Sequence, residues 1–316
     1  MRFHHLFIGV VLILCNPFPL SATISEKDRQ TLDGILGSTG IYTSSEDAYR
    51  ATFSRGDVKV AVGNEMLSSF LGLASWAAVT SDPHHGGALL LAEFALFEDE
   101  VNPVISAALE NRLEITALQN HFLFESPRVL FLDASATGTP QELATRVRRI
   151  LDEIKTIRAR NPVPVSQVRR RTVLERNTID ARVLDSILET HGDTAQGVYK
   201  ASMGMAGLVH GILVGKQMGV ATSITFAGSN EKATVAGQIV MTAEQIQNVL
   251  QALRRAGLDI TAIQRRMSDD RPDFFFVSFW GHGRAAILAQ GLRLALETQL
   301  PRGALKLSSQ QSSGRL

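Results

Sequence analysis

Cysteine is almost absent from this sequence: of 316 residues, only Cys15 is one. It directly follows Leu6–Leu14, an apolar run too short to span a bilayer. With Arg2, His4 and His5 ahead of that run and Leu20-Ser21-Ala22 behind it, residues 1–22 read as a secretory signal peptide. A bacterial lipoprotein would carry its acylated cysteine where Cys15 stands. Leu14 is bulky where that signal needs a small residue, so anchoring through Cys15 is the second reading. Once residues 1–22 leave, no thiol remains, which excludes disulfides and a thiolate nucleophile. The expected location is secreted or periplasmic.

Net charge is lacking as well. Residues 1–22 contain one Arg and no acid, so 32 basic and 31 acidic residues become 31 of each. That balance argues against nucleic acid or an anionic membrane as the main partner. No later stretch is long and apolar enough for a transmembrane span. There is no Gly-Lys-Ser/Thr phosphate loop, no Gly-x-Ser-x-Gly elbow and no convincing Ser/His/Asp grouping. Nucleophilic catalysis therefore has no visible machinery, and whether the chain is an enzyme stays open.

What the chain does have is an internal repeat. Shifted by 145 positions, Ala88–Leu151 falls on Ala233–Leu296 without a gap, and fifteen pairs are identical. Leu113–Gln119 meets Leu258–Gln264, and Pro127, Phe131 and Gly138 meet Pro272, Phe276 and Gly283. Farther upstream Ala48–Thr52 mirrors Val198–Ser202. Any site built by the unit should occur twice, so each copy is a control for the other.

Each unit is expected to open with a helix, Lys27–Gly37 or Ile179–Thr190. Strands follow at Tyr49–Ser54, Val58–Val62 and Ser75–Thr80, then at Ala88–Phe97 with its partner Ala233–Met241. Val101, Val104, Ile105 and Ala108 recur at helical spacing, as do Ile246, Val249, Leu250 and Leu253. Strands Leu113–Phe122 and Arg128–Asp133 and a closing helix, Gln141–Ile154 or Ala285–Gln299, complete the unit. Because strands cluster in runs, the predicted fold class is α+β. It has two homologous repeats, each a mainly antiparallel sheet with helices packed on one face. The expected boundaries are 27–157 for the first repeat domain, 158–176 for a basic linker, 177–300 for the second repeat domain and 301–316 for a disordered tail.

Gly56–Val60, Glu98–Val104 and Leu113–Phe122, with Gly197–Lys200, His210-Gly211 and Phe279–Gly283, resemble the LppY/LpqO family. That is a domain-of-unknown-function group that includes mycobacterial lipoproteins, and the likeness covers roughly residues 27–300. The resemblance implies secretion and a duplicated architecture, and it brings no established reaction. It also implies His-x-His at the end of the strand Leu113–Phe122 in each unit, with another His on the next strand. Alternate strand residues share a face, so such a set could hold a metal with one position open.

This chain departs from that pattern. The first unit has Gln119, Asn120 and His121, with Asp133 on the next strand and Glu93 nearby. The second has Gln264, Arg265 and Arg266, with Ser278 at the equivalent point. No metal is expected in the second unit, where Arg266 would repel it. In the first, His121, Asp133 and Glu93 form a reduced set that could take a divalent metal, although a hydrogen-bonded structural His121 is the simpler reading.

The remaining candidates each have a plainer explanation. His84-His85 lies in a predicted turn. His210, among glycines, reads as a turn before it reads as a ligand contact. Trp280 and His282 precede a helix start that, with Arg284, could hold an anion. Asp99 and Glu100 read as helix-start carboxylates. The function that follows is a non-catalytic binding or interaction protein whose partner is a small anionic ligand or a protein. Its ligand-binding candidates are Gln119, His121, Asp133, Glu93, Arg266, His210, Trp280 and His282. A metal-dependent hydrolase working through the reduced first-unit site is the alternative. Neither the ligand nor the oligomeric state follows from the sequence.

Overall fold

Ser25 begins the first helix by accepting from the Asp28 amide while Asp28 returns a bond to the Ser25 amide, and Gly37 ends it in the left-handed conformation. In the computed structural model, residues 23–62, 65–66, 73–82, 87–120, 123–164, 178–195, 198–267 and 270–299 are described. The predicted signal peptide with Cys15, the pair His84-His85, His121, most of the linker and the tail lie outside them.

The first repeat contains α1 (Glu26–Leu36), β1 (Ile41–Thr43), β2 (Ala48–Ser54), β3 (Ala61–Val62), β4 (Glu65–Met66), β5 (Ala74–Ser81) and β6 (Ala88–Phe97). It continues with α2 (Glu98–Glu110), β7 (Glu114–Asn120), β8 (Glu125–Ser126), β9 (Val129–Gly138) and α3 (Pro140–Arg160). The second contains α4 (Ala181–Leu188), β10 (Gly192–Ala195), β11 (Val198–Gly204), β12 (Gly207–Val209), β13 (Ile212–Val214), β14 (Ala221–Gly228) and β15 (Ala233–Thr242). It closes with α5 (Ile246–Arg255), β16 (Asp259–Arg265), β17 (Asp270–Arg271), β18 (Phe274–Gly283) and α6 (Ala285–Glu297).

The predicted α+β class with two mainly antiparallel repeats is what the chain adopts. The two sheets are joined, however, into one of twelve strands in the order β1-β2-β5-β6-β9-β7-β16-β18-β15-β14-β11-β10. They meet antiparallel at Leu118 and Ile263, which are equivalent at the 145-residue offset. A pseudo-twofold axis therefore passes between them, normal to the sheet. One apolar core, from Leu32 and Leu90 through Leu118 and Ile263 to Leu292, lies between the sheet and all six helices. Helices α2 and α5 meet across the axis.

Bulges follow Ile115 and Ile260. Because β7 and β16 pair at Leu118 and Ile263 alone, the backbone groups of both isoleucines that face the junction must find other partners. Each finds a side-chain amide of the other repeat. Asn102 accepts from the Ile260 N–H at 2.8 Å and donates to its carbonyl at 3.4 Å; Gln247 does the same for Ile115 at 3.1 and 2.8 Å.

Repetition also shows in the first turn of each sheet. Asp33 accepts from the Gly40 N–H and the Tyr49 hydroxyl, and Asp185 accepts from Gly192 and Tyr199. A Cβ on Gly40 or Gly192 would sit 2.3 Å from the tyrosine ring, so only glycine fits.

Among the described residues no α-helix packs on the opposite sheet face. At one end of each repeat it is covered by a three-stranded side sheet, β4-β3-β8 in the first and β13-β12-β17 in the second. Val60 and Leu73 pack there on Phe97 and Phe131, and Val214 and Val220 pack on Phe274 and Phe276. Strands of two or three residues carry no readable alternation, so Val58–Val62, expected as a main strand, supplies only a side-sheet strand. Two further expectations are corrected. Strands β9 and β18 run on to Gly138 and Gly283, which places Trp280 and His282 on the open face instead of at a helix start. Helix α3 continues past the expected boundary at 157, and its Arg158 is buried.

Candidate functional site

The middle of the open face in the first repeat holds a row of polar side chains on adjacent strands. Trp76 on β5 is directly opposite Glu93 on β6, which is directly opposite Asp133 on β9. The indole N–H donates to Glu93 Oε1 at 2.9 Å, and Gln119 Nε2 on β7 donates to Asp133 Oδ2 at 3.3 Å. Arg50 stacks on the Trp76 ring, 4.0 Å from its centroid. Glu93 and Asp133 are half-buried like charges, and among the described residues neither forms an ion pair. Burial first, and then the neighbouring Glu93, push the Asp133 carboxyl above its ordinary value. Of the proposed metal set, Glu93 and Asp133 come together; His121 is outside the described residues, among which no group of three metal-ligating side chains occurs.

That row has a consequence for stability. Like charges directly opposite on a sheet are destabilising, so Asp133→Asn should stabilise the fold by about 0.5 kcal/mol at neutral pH. Asp133 binds its proton more tightly folded than unfolded. Stability should therefore fall as pH rises from the ordinary 3.8 through the raised folded value. Urea titrations between pH 3 and pH 8 read both effects. A variant as pH-dependent as the parent over that window would contradict them.

The second repeat keeps the geometry and changes the chemistry. Ser223, Gln238 and Ser278 stand where Trp76, Glu93 and Asp133 do. Arg266, at the position of His121, donates to Gln238 Oε1 at 2.6 Å and lies 4.6 Å over Phe276. Among the described residues it has no carboxylate partner. Arg265, not Arg266, takes Asp270 and Asp273, at 2.6 and 3.0 Å. Trp280 donates to His282 Nε2 and Thr234 bonds the other ring nitrogen, both at 3.0 Å. Arg284 pairs with Glu231 at 2.7 Å. The 280 Å³ cavity at the start of α6 is also lined by Asp180, which disfavours an anion there. His210 and Gly211, both at positive φ, turn the chain between β12 and β13.

These clusters are carried by a duplicated domain. The family described as "Domain of Unknown Function (DUF1259)" matches residues 30–153 and again residues 182–298. The chain belongs to that family. Both DUF1259 copies include the sheet row, and neither copy's name carries an activity. No curated protein matches the chain. A solved structure, "Crystal structure of a trimeric bacterial microcompartment shell protein PduB", is similar at 12% identity over 86% of this chain and 92% of that one. Its TM-score of 0.17 carries no argument.

Sequence reasoning missed Trp76 and a buried ionic cluster. The signal for Trp76 was available: it is the aromatic on the polar face of an alternating strand. In the cluster, Arg55 makes a bidentate pair with Glu100 at 2.7 and 2.8 Å and binds Asp57 at 2.9 Å. Arg158 lies 2.8 Å from Glu100 and also pairs with Asp99, while both guanidiniums lie over Phe97. Asp99 and Glu100 thus do more than begin a helix. Arg55, Glu100 and Arg158 are each under a tenth exposed, so the cluster is read as structural.

Proposed function

We propose that the protein is a non-catalytic binding protein acting outside the cytoplasm, with its ligand on the open sheet face. One observation carries this reading: among the described residues half-buried Glu93 and Asp133 form no ion pair, and Arg266 has no carboxylate partner. Charges outside any ion pair among the described residues, on a sheet face not packed by the six α-helices, are suited to a ligand's polar groups. Arg266 offers a planar donor fork to a carboxylate or phosphate, so the ligand is a small anion or carries an anionic group. Assignment to the secreted proteins and lipoproteins of the LppY/LpqO group is part of the proposal. So is export by residues 1–22, with lipidation at Cys15 as the lesser form.

Thermal unfolding with a panel of phosphates and carboxylates tests it. A ligand at one hundred times its dissociation constant adds roughly 2.7 kcal/mol. Arg266→Met should abolish the gain. No shift with any member of the panel would sink the anion reading. Stoichiometric zinc in purified protein, lost on His121→Ala, would replace it with the metal-dependent hydrolase.

A further inference from the structure

The two side sheets lie at diagonal corners of the open face. In the first repeat the covered end is that of Phe97 and Phe131; in the second it is that of Phe274 and Phe276. Because β7 and β16 run antiparallel, the pseudo-twofold axis puts these covers at opposite ends of the strands. Among the described residues the other two corners are bare, and each exposes a large apolar side chain, Leu91 at 49% and Trp280 at 43%. The covers are apolar on the outside too. Met66 and Leu213 occupy equivalent places, each on the outermost strand of its side sheet, and are 62% and 74% exposed. The polar clusters diverged between the repeats, yet this feature is present in both.

We propose that two copies of this chain pack face to face through their open sheet surfaces. The side sheets of each copy fill the bare corners of the other, with first repeat over second. Two raised and two bare corners, placed diagonally, interlock with themselves under a twofold axis lying in the interface. Two such axes are available. One lies across the strands and would set Glu93 and Asp133 of one copy over the same pair of the other, a like-charge arrangement that opposes association. The other lies along the strands and sets those carboxylates over the second repeat, whose row has Gln238 and Ser278 in their place and Arg266 beside them. Charge complementarity selects the second. A side sheet three strands wide and two or three residues long presents roughly 120 Å², so four covers on four corners bury, counting both surfaces, about 1,000 Å², the low end of specific interfaces. The side sheets act as spacers roughly 10 Å thick. The polar rows would then face each other across an enclosed gap, so the pairing stands whether or not a small ligand binds.

The full chain in a Cys15→Ser background provides the test. Light scattering should give twice the chain mass, and Leu213→Asp should weaken association tenfold or more while the circular dichroism spectrum is unchanged. A short bismaleimide should cross-link Leu91→Cys/Leu213→Cys into dimers, because a second-repeat cover then lies on a first-repeat corner. It should leave Leu91→Cys/Met66→Cys uncoupled between chains. A monomer at every concentration, a dimer indifferent to Leu213→Asp, or cross-linking only through Met66 would each overturn the proposal.

Discussion

Glu100→Ala should lower the free energy of unfolding by about 3–5 kcal/mol, because it leaves buried guanidinium charge without its partner. Glu100 is fully buried and binds Arg55 through both oxygens. The same carboxylate accepts from the Phe97 amide at 2.8 Å, fixing the start of α2. In the second repeat the equivalents are Met205 and Gln245. There Gln245 Oε1 accepts from the Thr242 amide at 2.9 Å, and Met205 packs against the side-sheet core. The fold thus already contains a neutral solution to the same corner. Arg55→Met with Glu100→Gln copies those two positions and leaves Arg158 to Asp99, so it should recover part of the loss, since replacing a buried ion pair by groups of similar volume is often neutral or stabilising. Urea denaturation with an unchanged slope reads both results. A loss below about 1 kcal/mol for Glu100→Ala would mean that the cluster is better solvated than its burial implies.

How far the sequence carried can be judged at particular residues. The repeat predicted the pseudo-symmetry, since equivalent Leu118 and Ile263 are the pair that meets at the axis. Helices α2 and α5 followed from periodicity, because amphipathic segments bury one face whatever surrounds them, and strand Ala88–Phe97 followed from its apolar run. Glu93 and Asp133 were legible as neighbours because the family resemblance drew attention to the end of strand Leu113–Phe122 and the strands beside it. Continuity of the sheet was not, because which edge strands pair is a tertiary choice that no local pattern encodes. Strand Arg128–Asp133 was drawn too short, because the small and polar residues that carry β9 on to Gly138 lack the apolar and aromatic content of a strand. The cluster of Arg55, Glu100 and Arg158 was hidden by separation, with its members brought together only when α3 packs on α2. Its Arg158 even seemed to belong to a solvated linker, since a basic run reads as exposed until its partners are placed.

The amides at the pseudo-symmetry axis give a result that ties those levels together. Gln247→Ala should cost about 1–3 kcal/mol, the price of leaving the N–H and carbonyl of fully buried Ile115 without partners. Asn102→Ala should cost less within the same range, because one of its two bonds to Ile260 is longer, 3.4 Å against 2.8 Å for its counterpart from Gln247. The cause is the short junction: β7 and β16 pair at Leu118 and Ile263 alone, so the backbone groups of Ile115 and Ile260 that face the junction depend on a side chain from the other repeat. Hydrogen exchange resolves the two cases. Gln247→Ala should speed exchange of the Ile115 amide and leave that of Ile260 protected, and Asn102→Ala should do the reverse. Such reciprocal loss requires that the repeats be joined at these two points and not only by the shared core. If the Ile115 amide exchanges at the parent rate in Gln247→Ala, the cross-repeat bond is not what protects it, and the junction rests on the packing of Leu118 against Ile263 and of α2 against α5 alone.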